Sequence, residues 1–178
     1  FSGRQEEAHQ INAACEAYRD EVSSEAAQYD MSDYVDLLLA VMMQESSGQG
    51  TDPMQSSEGA YNTRYPQQPN PSYSISCGIQ ELKYALDKAG CTGPTDLSKI
   101  RLALQAYNFG ADSYFAYLEE NGQTVWTAQS AQAFAQMASG GTQRDEDDPL
   151  HDPAGPWDYG DQYYPDHVLR YYHLDNNS

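Results

Sequence analysis

Glu45 stands where an apolar helix pattern calls for one more aliphatic side chain. In "YVDLLLAVMMQESSGQG", Tyr34, Leu37, Leu38, Val41 and Met42 recur at i, i+3, i+4, i+7 and i+8, and Glu45 continues the series at i+11. Leu39, Ala40 and Met43 make the other side apolar too, which marks a central buried helix. A carboxyl on that stripe, in the last turn, meets two unfavourable fields. Desolvation penalises its charged form, and the helix C-terminus carries partial negative charge. Both favour the protonated acid. A carboxylic acid that keeps its proton near neutral pH can donate it to a leaving oxygen, the step that glycosidic-bond cleavage needs. The plain alternative is a solvated glutamate at a helix end, three residues before Gly48.

A second carboxyl follows in "DPMQSSEGAYN". Asp52 is a candidate base or electrostatic partner, or a turn former, as Asp before Pro commonly is. Seven residues of chain can span up to roughly 23 Å. The sequence therefore does not choose between a carboxyl pair about 5–5.5 Å apart, which retains anomeric configuration, and one about 6.5–9.5 Å apart, which inverts it. Tyr61, Tyr65 and Tyr73, with Trp157 and Tyr159 further on, are stacking candidates for sugar rings or hydrophobic plugs.

Other chemistries are poorly supplied. Cys15, Cys77 and Cys91 form no CxxC pair, and the four histidines show no i,i+4 pair, so neither zinc nor any other cofactor is expected. "DEDDPLHD" lacks the regular spacing of a calcium loop and is expected to be solvated. Cys77 and Cys91 could close a disulfide or remain thiols. With 27 acidic residues against 9 basic ones and a formal charge of -18, the chain has no basic cluster to neutralise nucleic-acid phosphates or hold anionic lipid. No apolar run is long enough to span a bilayer. No charged-then-apolar leader stands ahead of Phe1, giving the expectation of an excised, monomeric mature domain whose signal or anchor was removed before this numbering.

The elements that must carry these residues are helical. Residues 5–29 read as one long amphipathic helix. A second starts at Ser32 or Asp33, either of which can cap it, and ends at Gly48 or Gly50. Residues 51–73, with Pro53, Pro66, Pro69 and Pro71, make a long irregular excursion. "SISCGIQELKYALDKAG" is a helix ended by Gly90, and "TDLSKIRLALQAYNFG" is another, with Asp96 as cap and Gly110 as stop. Helices over 112–121 and 127–138 follow, then a loop, then a short helix with Pro165 in its first turn. The expected class is mainly α, a single domain over 1–178 with little or no sheet and residues 1–29 packed on it as an N-terminal helix.

In that order, "MMQESSGQGTDPMQSSEGAYN", "SISCG", "LALQAYNFG" and "HVLRYY" resemble the bacterial lysozyme-like, goose-type-related muramidase domain of two-domain cell-wall hydrolases from conjugative elements. More distantly the chain is similar to lytic transglycosylases, with Glu-Ser at a helix end, then Met-Gln, then Ala-Tyr-Asn-x-Gly. The resemblance implies a central helix carrying the catalytic acid. It makes Glu45 the general acid/base and has Ser46 hold the helix end or the acid itself. It places Met54 and Gln55 along a substrate groove, and has Ser74, Ile75 and Gly78 wall it through the family's Ser-Ile-x-x-Gly. Tyr107 and Asn108 would face Glu45 and bind substrate, though Tyr107 also fits an apolar stripe with Leu104 and Asn108 a helix cap. Where transglycosylases have Gly-Leu-Met-Gln, this chain has Asp52-Pro53-Met54-Gln55, which leaves Asp52 open as a second carboxylate. The implied substrate is the glycan of peptidoglycan, cut outside the cell or at the wall, in a domain commonly fused to a cell-wall peptidase. Hydrolysis, transglycosylation to a 1,6-anhydro product, and a non-catalytic wall-binding or conjugation role stay open, as does a cysteine peptidase built on Cys77.

Overall fold

The structure, a computed structural model, describes residues 9–61 and 69–174. The predicted helix over Gln5–Tyr29 is two pieces, α1 (Ala13–Glu16) and α2 (Arg19–Gln28), and its first residues lie outside those described. Asn12 starts α1 by accepting the Cys15 N–H at 2.8 Å. Its amide nitrogen donates to the Ser47 carbonyl at 2.9 Å, tying this cap to the far end of the next long helix. Ala17 and Tyr18 stay in the right-handed region between the pieces, so the amphipathic pattern runs through the break unchanged.

A short 3₁₀ turn, Ser32–Tyr34, precedes α3 (Val35–Ser46). Neither Ser32 nor Asp33 caps α3. Tyr34 takes that position without a side-chain bond, because the 3₁₀ turn occupies the two candidate residues. Leu37 through Met42 are buried on every side, as the pattern required of a central helix. α3 stops at Ser47, a non-glycine residue at φ 55 whose N–H reaches back to Met42 and Met43 carbonyls. α1 and α2 pack on α3.

α4 (Pro71–Ala89) begins earlier than "SISCG". Asn70 accepts the Tyr73 N–H at 2.9 Å, and Pro71 occupies the first helical position, where its missing N–H costs nothing. α5 (Leu97–Phe109), α6 (Ala111–Glu120), α7 (Ala128–Ala138) and α8 (Tyr164–Leu169) follow. Among the described residues the class is mainly α with no strand; an isolated bridge, Gln143 with Trp157, is the sole extended pairing. No described helix is long and apolar enough to cross a membrane. Cys77 and Cys91 stand as thiols, Cys77 buried within α4.

Two compact units are evident. One comprises the chain up to Lys83, Gly93–Thr95 and the chain from His167 on; it holds α1 to α3 and the first part of α4. In it, Tyr172 donates to the Pro94 carbonyl at 2.6 Å and Arg170 to the Gln44 side chain at 3.3 Å. The other comprises Tyr84–Thr92 and Asp96–Asp166. Its core is aromatic, with Phe109 against Tyr114, Phe134 and Tyr159 at ring distances of 5.4, 5.0 and 5.6 Å.

Gly48 is a joint of the first unit closed by backbone on backbone. At φ +78, a Cβ there would lie 2.9 Å from the Cys15 nitrogen and 3.0 Å from the Ala14 carbonyl carbon, both backbone atoms that cannot rotate away. Gly48→Ala is expected to lower stability by about 1–3 kcal/mol, through overpacking and left-handed strain. Urea unfolding would measure it as a lower midpoint at unchanged slope.

Candidate active site

Full burial along α3 ends at Met42, one turn before Glu45. Met42 is fully buried, whereas Met43, Gln44, Glu45 and Ser46 are half-buried, so the carboxyl stands at the edge of the core rather than inside it. The next residue fixes what lies opposite. The Ser46 hydroxyl donates to the Pro53 carbonyl at 2.7 Å and accepts the Gly48 N–H at 3.0 Å. Ser46 adjoins Glu45 and Pro53 adjoins Asp52, so this one contact folds the loop back onto the helix end that carries Glu45. Ser46 thus holds the helix end and its following loop.

Asp52 is the hub of that loop. Its carboxylate accepts the Ser56 N–H at 3.0 Å, the Ser57 N–H at 3.1 Å and the Ser74 hydroxyl at 2.7 Å. Burial pushes its carboxyl up, but hydrogen bonds from the Ser57 and Ser74 side chains and the Ser56 and Ser57 backbone outweigh that, leaving it below the ordinary carboxylate range. Asp52 is therefore a fixed negative charge whose oxygens are already engaged. Gln55 closes the turn at φ 50, a left-handed conformation uncommon for a side-chain-bearing residue, and its amide donates to the Asp52 carbonyl at 2.8 Å. Its side chain remains exposed.

Four residues expected to line a groove are buried where this loop meets α4. Met54 is 1% exposed, Ile75 0% and Ser74 2%, and Gly78 is buried. The reason is close backbone approach. A Cβ on Gly78 would fall 2.7 Å from Met54 Cβ, so only glycine lets Met54 seat on α4. Ser74 secures the seat, donating to Asp52, accepting the Met54 N–H at 2.9 Å and offering its carbonyl to the Ser56 hydroxyl at 2.6 Å.

The same face of α4 carries a residue that the sequence reading passed over. Ser74, Gly78 and Glu81 stand at i, i+4 and i+7, and continuing the period one step beyond Gly78 would have found it. Burial, then the negative charges of Asp52 and Glu45, raise the Glu81 carboxyl to about 7, against a lowering hydrogen bond from the Ala60 N–H. Asp52 and Glu45 thus both act on Glu81 at the junction of α3, the loop and α4. Among the described residues no cluster of His, Cys, Asp or Glu could hold a metal ion.

Tyr107 and Asn108 belong to the second unit, at the end of α5. Tyr107 is half-buried with its ring parallel to that of Tyr164, centroids 6.4 Å apart. Asn108 spends its side-chain oxygen on the Asp161 N–H at 2.7 Å and lies against Gly160, so it pins the late loop. Gln105, also passed over, does likewise: fully buried, it donates to the Asp161 carbonyl and accepts the Trp126 indole N–H, both at 2.9 Å. Of the loop aromatics, Tyr65 lies outside the described residues, and Tyr159 is half-buried, packs on Phe109 and Phe134, and donates to the Phe109 carbonyl at 2.8 Å.

Comparison with known proteins agrees with this architecture. Residues 13–172 match the family described as lysozyme-like. The chain is 34% identical over 160 residues to the bifunctional muramidase/DL-endopeptidase CwlT of Bacillus subtilis, covering 88% of this chain and 41% of that protein. It is 36% identical over 107 residues to the uncharacterised membrane protein YocA of the same organism, covering 60% of this chain and 45% of that one. A solved Staphylococcus aureus structure, similar to lipoprotein and of the NLP/P60 family, superposes with a TM-score of 0.77 at 27% identity, over 96% of this chain and 56% of that one. The chain thus spans about half the length of the proteins it matches, or less.

Ser74→Ala removes one donor to Asp52 and the acceptor of the Met54 N–H. The expected cost is about 1–3 kcal/mol at neutral pH, because buried partners are left unsatisfied. The Asp52 carboxyl is held low in the fold, so its contribution is present at neutral pH and lost as acid protonates it. The Asp52 resonance in carboxyl ¹³C NMR should accordingly titrate at higher pH in the variant than in wild type.

Proposed function

The chain belongs to the lysozyme-like family, and from that membership we propose that it is an N-acetylmuramidase cleaving the MurNAc–GlcNAc β-1,4 bond of peptidoglycan, with Glu45 as general acid/base. Family membership and the likeness to a muramidase support peptidoglycan glycan cleavage; the bond and the residue are the finer assignments. The observation that supports the choice of Glu45 is that it and Asp52, a carboxyl held below its ordinary range, both act on Glu81, beside a loop tied to the helix end by the Ser46–Pro53 hydrogen bond.

Glu45 gives its proton to the GlcNAc O4 as the bond to MurNAc C1 breaks. The positive charge that develops on the MurNAc ring is met by the Asp52 carboxylate, a preorganised charge that need not move. Water then adds at C1 and returns a proton to Glu45. Gln55, whose exposed side chain sits on the same turn, and Tyr107 and Asn108, from the Ala-Tyr-Asn-x-Gly pattern, are assigned to sugar binding. Ser46, Met54, Ser74, Ile75 and Gly78 act by shaping the loop. The likeness to a bifunctional muramidase/endopeptidase supports action outside the cell, at the wall, beside a peptidase domain.

The engagement of Asp52 favours a second reading as well. With its oxygens taken by Ser56, Ser57 and Ser74, it is poorly placed to deprotonate water. Attack by the MurNAc 6-hydroxyl, as in lytic transglycosylases, needs no such base.

Loss of turbidity of purified walls tests the acid. Glu45→Gln is expected to slow clearing by about 10²–10⁴-fold, the usual worth of a general acid. Equal clearing by both proteins would remove Glu45 from the role. Equal wall binding with no clearing by either would make the protein a wall-binding component.

A further inference from the structure

Glu81 is neither part of the proposed proton transfer nor explained by core packing. Its side chain leaves α4 and lies on the backbone of Gly59: a Cβ there would fall 1.1 Å from Oε1. That oxygen is buried and has no hydrogen-bond partner among the described residues, while the Ala60 N–H donates to the carboxylate. Among the described residues, the charged groups that act on it are Asp52 from the loop and Glu45 from α3, both acidic. A carboxylate in that setting would have a desolvated oxygen facing two like charges. A carboxylic acid has neither problem, and it fits.

We propose that Glu81 is a positioning residue, a pH-sensitive latch whose neutral carboxyl holds the Asp52–Ala60 loop against α4 and releases it on ionisation. Residues of that loop rest on the latch at both ends. Asp52 and Met54 are bound to Ser74, about two turns before Glu81 on α4, and Gly59 and Ala60 touch Glu81 itself. A third negative charge would be accommodated by moving the loop, since Glu81 is carried on a 19-residue helix and Gly59 and Ala60 lie outside any helix. The consequence is a wall-cutting site that is ordered in mildly acidic surroundings and loosens as pH rises through about 7. The latch rests on the muramidase reading only for what the loop serves.

The linkage sign follows from the direction of the shift. A carboxyl raised in the fold lends its stability fully below its unfolded value and loses it as pH rises through the folded one. Glu81→Gln, close in shape and unable to ionise, should therefore remove that loss. Thermal unfolding at pH 5 and pH 8 is expected to show the variant gaining on wild type by about 3 °C or more at the higher pH. The ratio of variant to wild-type wall-clearing rate should rise about tenfold between pH 6 and pH 8, as one ionisation a unit below the upper pH requires. Carboxyl ¹³C titration of wild type needs no variant: Glu81 ionising near 7 supports the latch, and Glu81 ionising near the 4.5 of an unperturbed glutamate overturns it. A flat activity ratio with an unchanged stability difference also overturns it. Absence of clearing by wild type at every pH would sink the muramidase reading alone, and the titration and unfolding data would still decide the latch.

Discussion

A single hydroxyl-to-carbonyl hydrogen bond, Ser46 to Pro53 at 2.7 Å, ties the end of the helix that carries Glu45 to the loop that carries Asp52. Without it, Glu45 is a glutamate at the end of a helix and Asp52 a turn residue in a polar loop. With it, the chain doubles back within seven residues and brings both to one junction. The rest of the first unit supports that contact. Asn12 secures the helix end through Ser47, Gly48 allows the turn to close on α1, and the Gly78–Met54 seat anchors the far side of the loop.

The electrostatics follow from the same geometry. Asp52 is surrounded by donors and keeps its charge; Glu81 is buried under the charges of two acids and resists taking one. Similar side chains at one junction are thereby sorted by their neighbours into an anion and a proton holder. The formal charge of -18 over the whole chain reinforces that division, since a negative surround makes each further ionisation harder.

Much of this was legible in the residues. The period of 3.6 identified α3 as central because both its faces are apolar, and Gly90 and Gly110 marked helix ends because each supplies the positive φ a side chain resists. The failures have physical causes. The first helix breaks at Ala17 and Tyr18, which remain helical in backbone conformation and so leave no mark on the pattern. The α4 start was missed because Asn70-Pro71, a cap followed by a first-turn proline, looks like continuing loop when prolines precede it. Met54 looked like a groove residue because its burial depends on Gly78, twenty-four residues on, and close backbone approach is a tertiary fact. Glu81 lay hidden among the polar residues of an amphipathic helix; the period that relates it to Ser74 and Gly78 was present, but its meaning depended on where the loop lies.

The central claim is that Glu45 directs cleavage of the glycan strand between MurNAc and GlcNAc. Mass spectrometry of soluble fragments released from purified walls addresses it most directly. The account expects disaccharide-peptides that end in a reducing MurNAc, absent when Glu45→Gln is used. Fragments whose glycan strands remain uncut, or whose new reducing ends are GlcNAc, would contradict it.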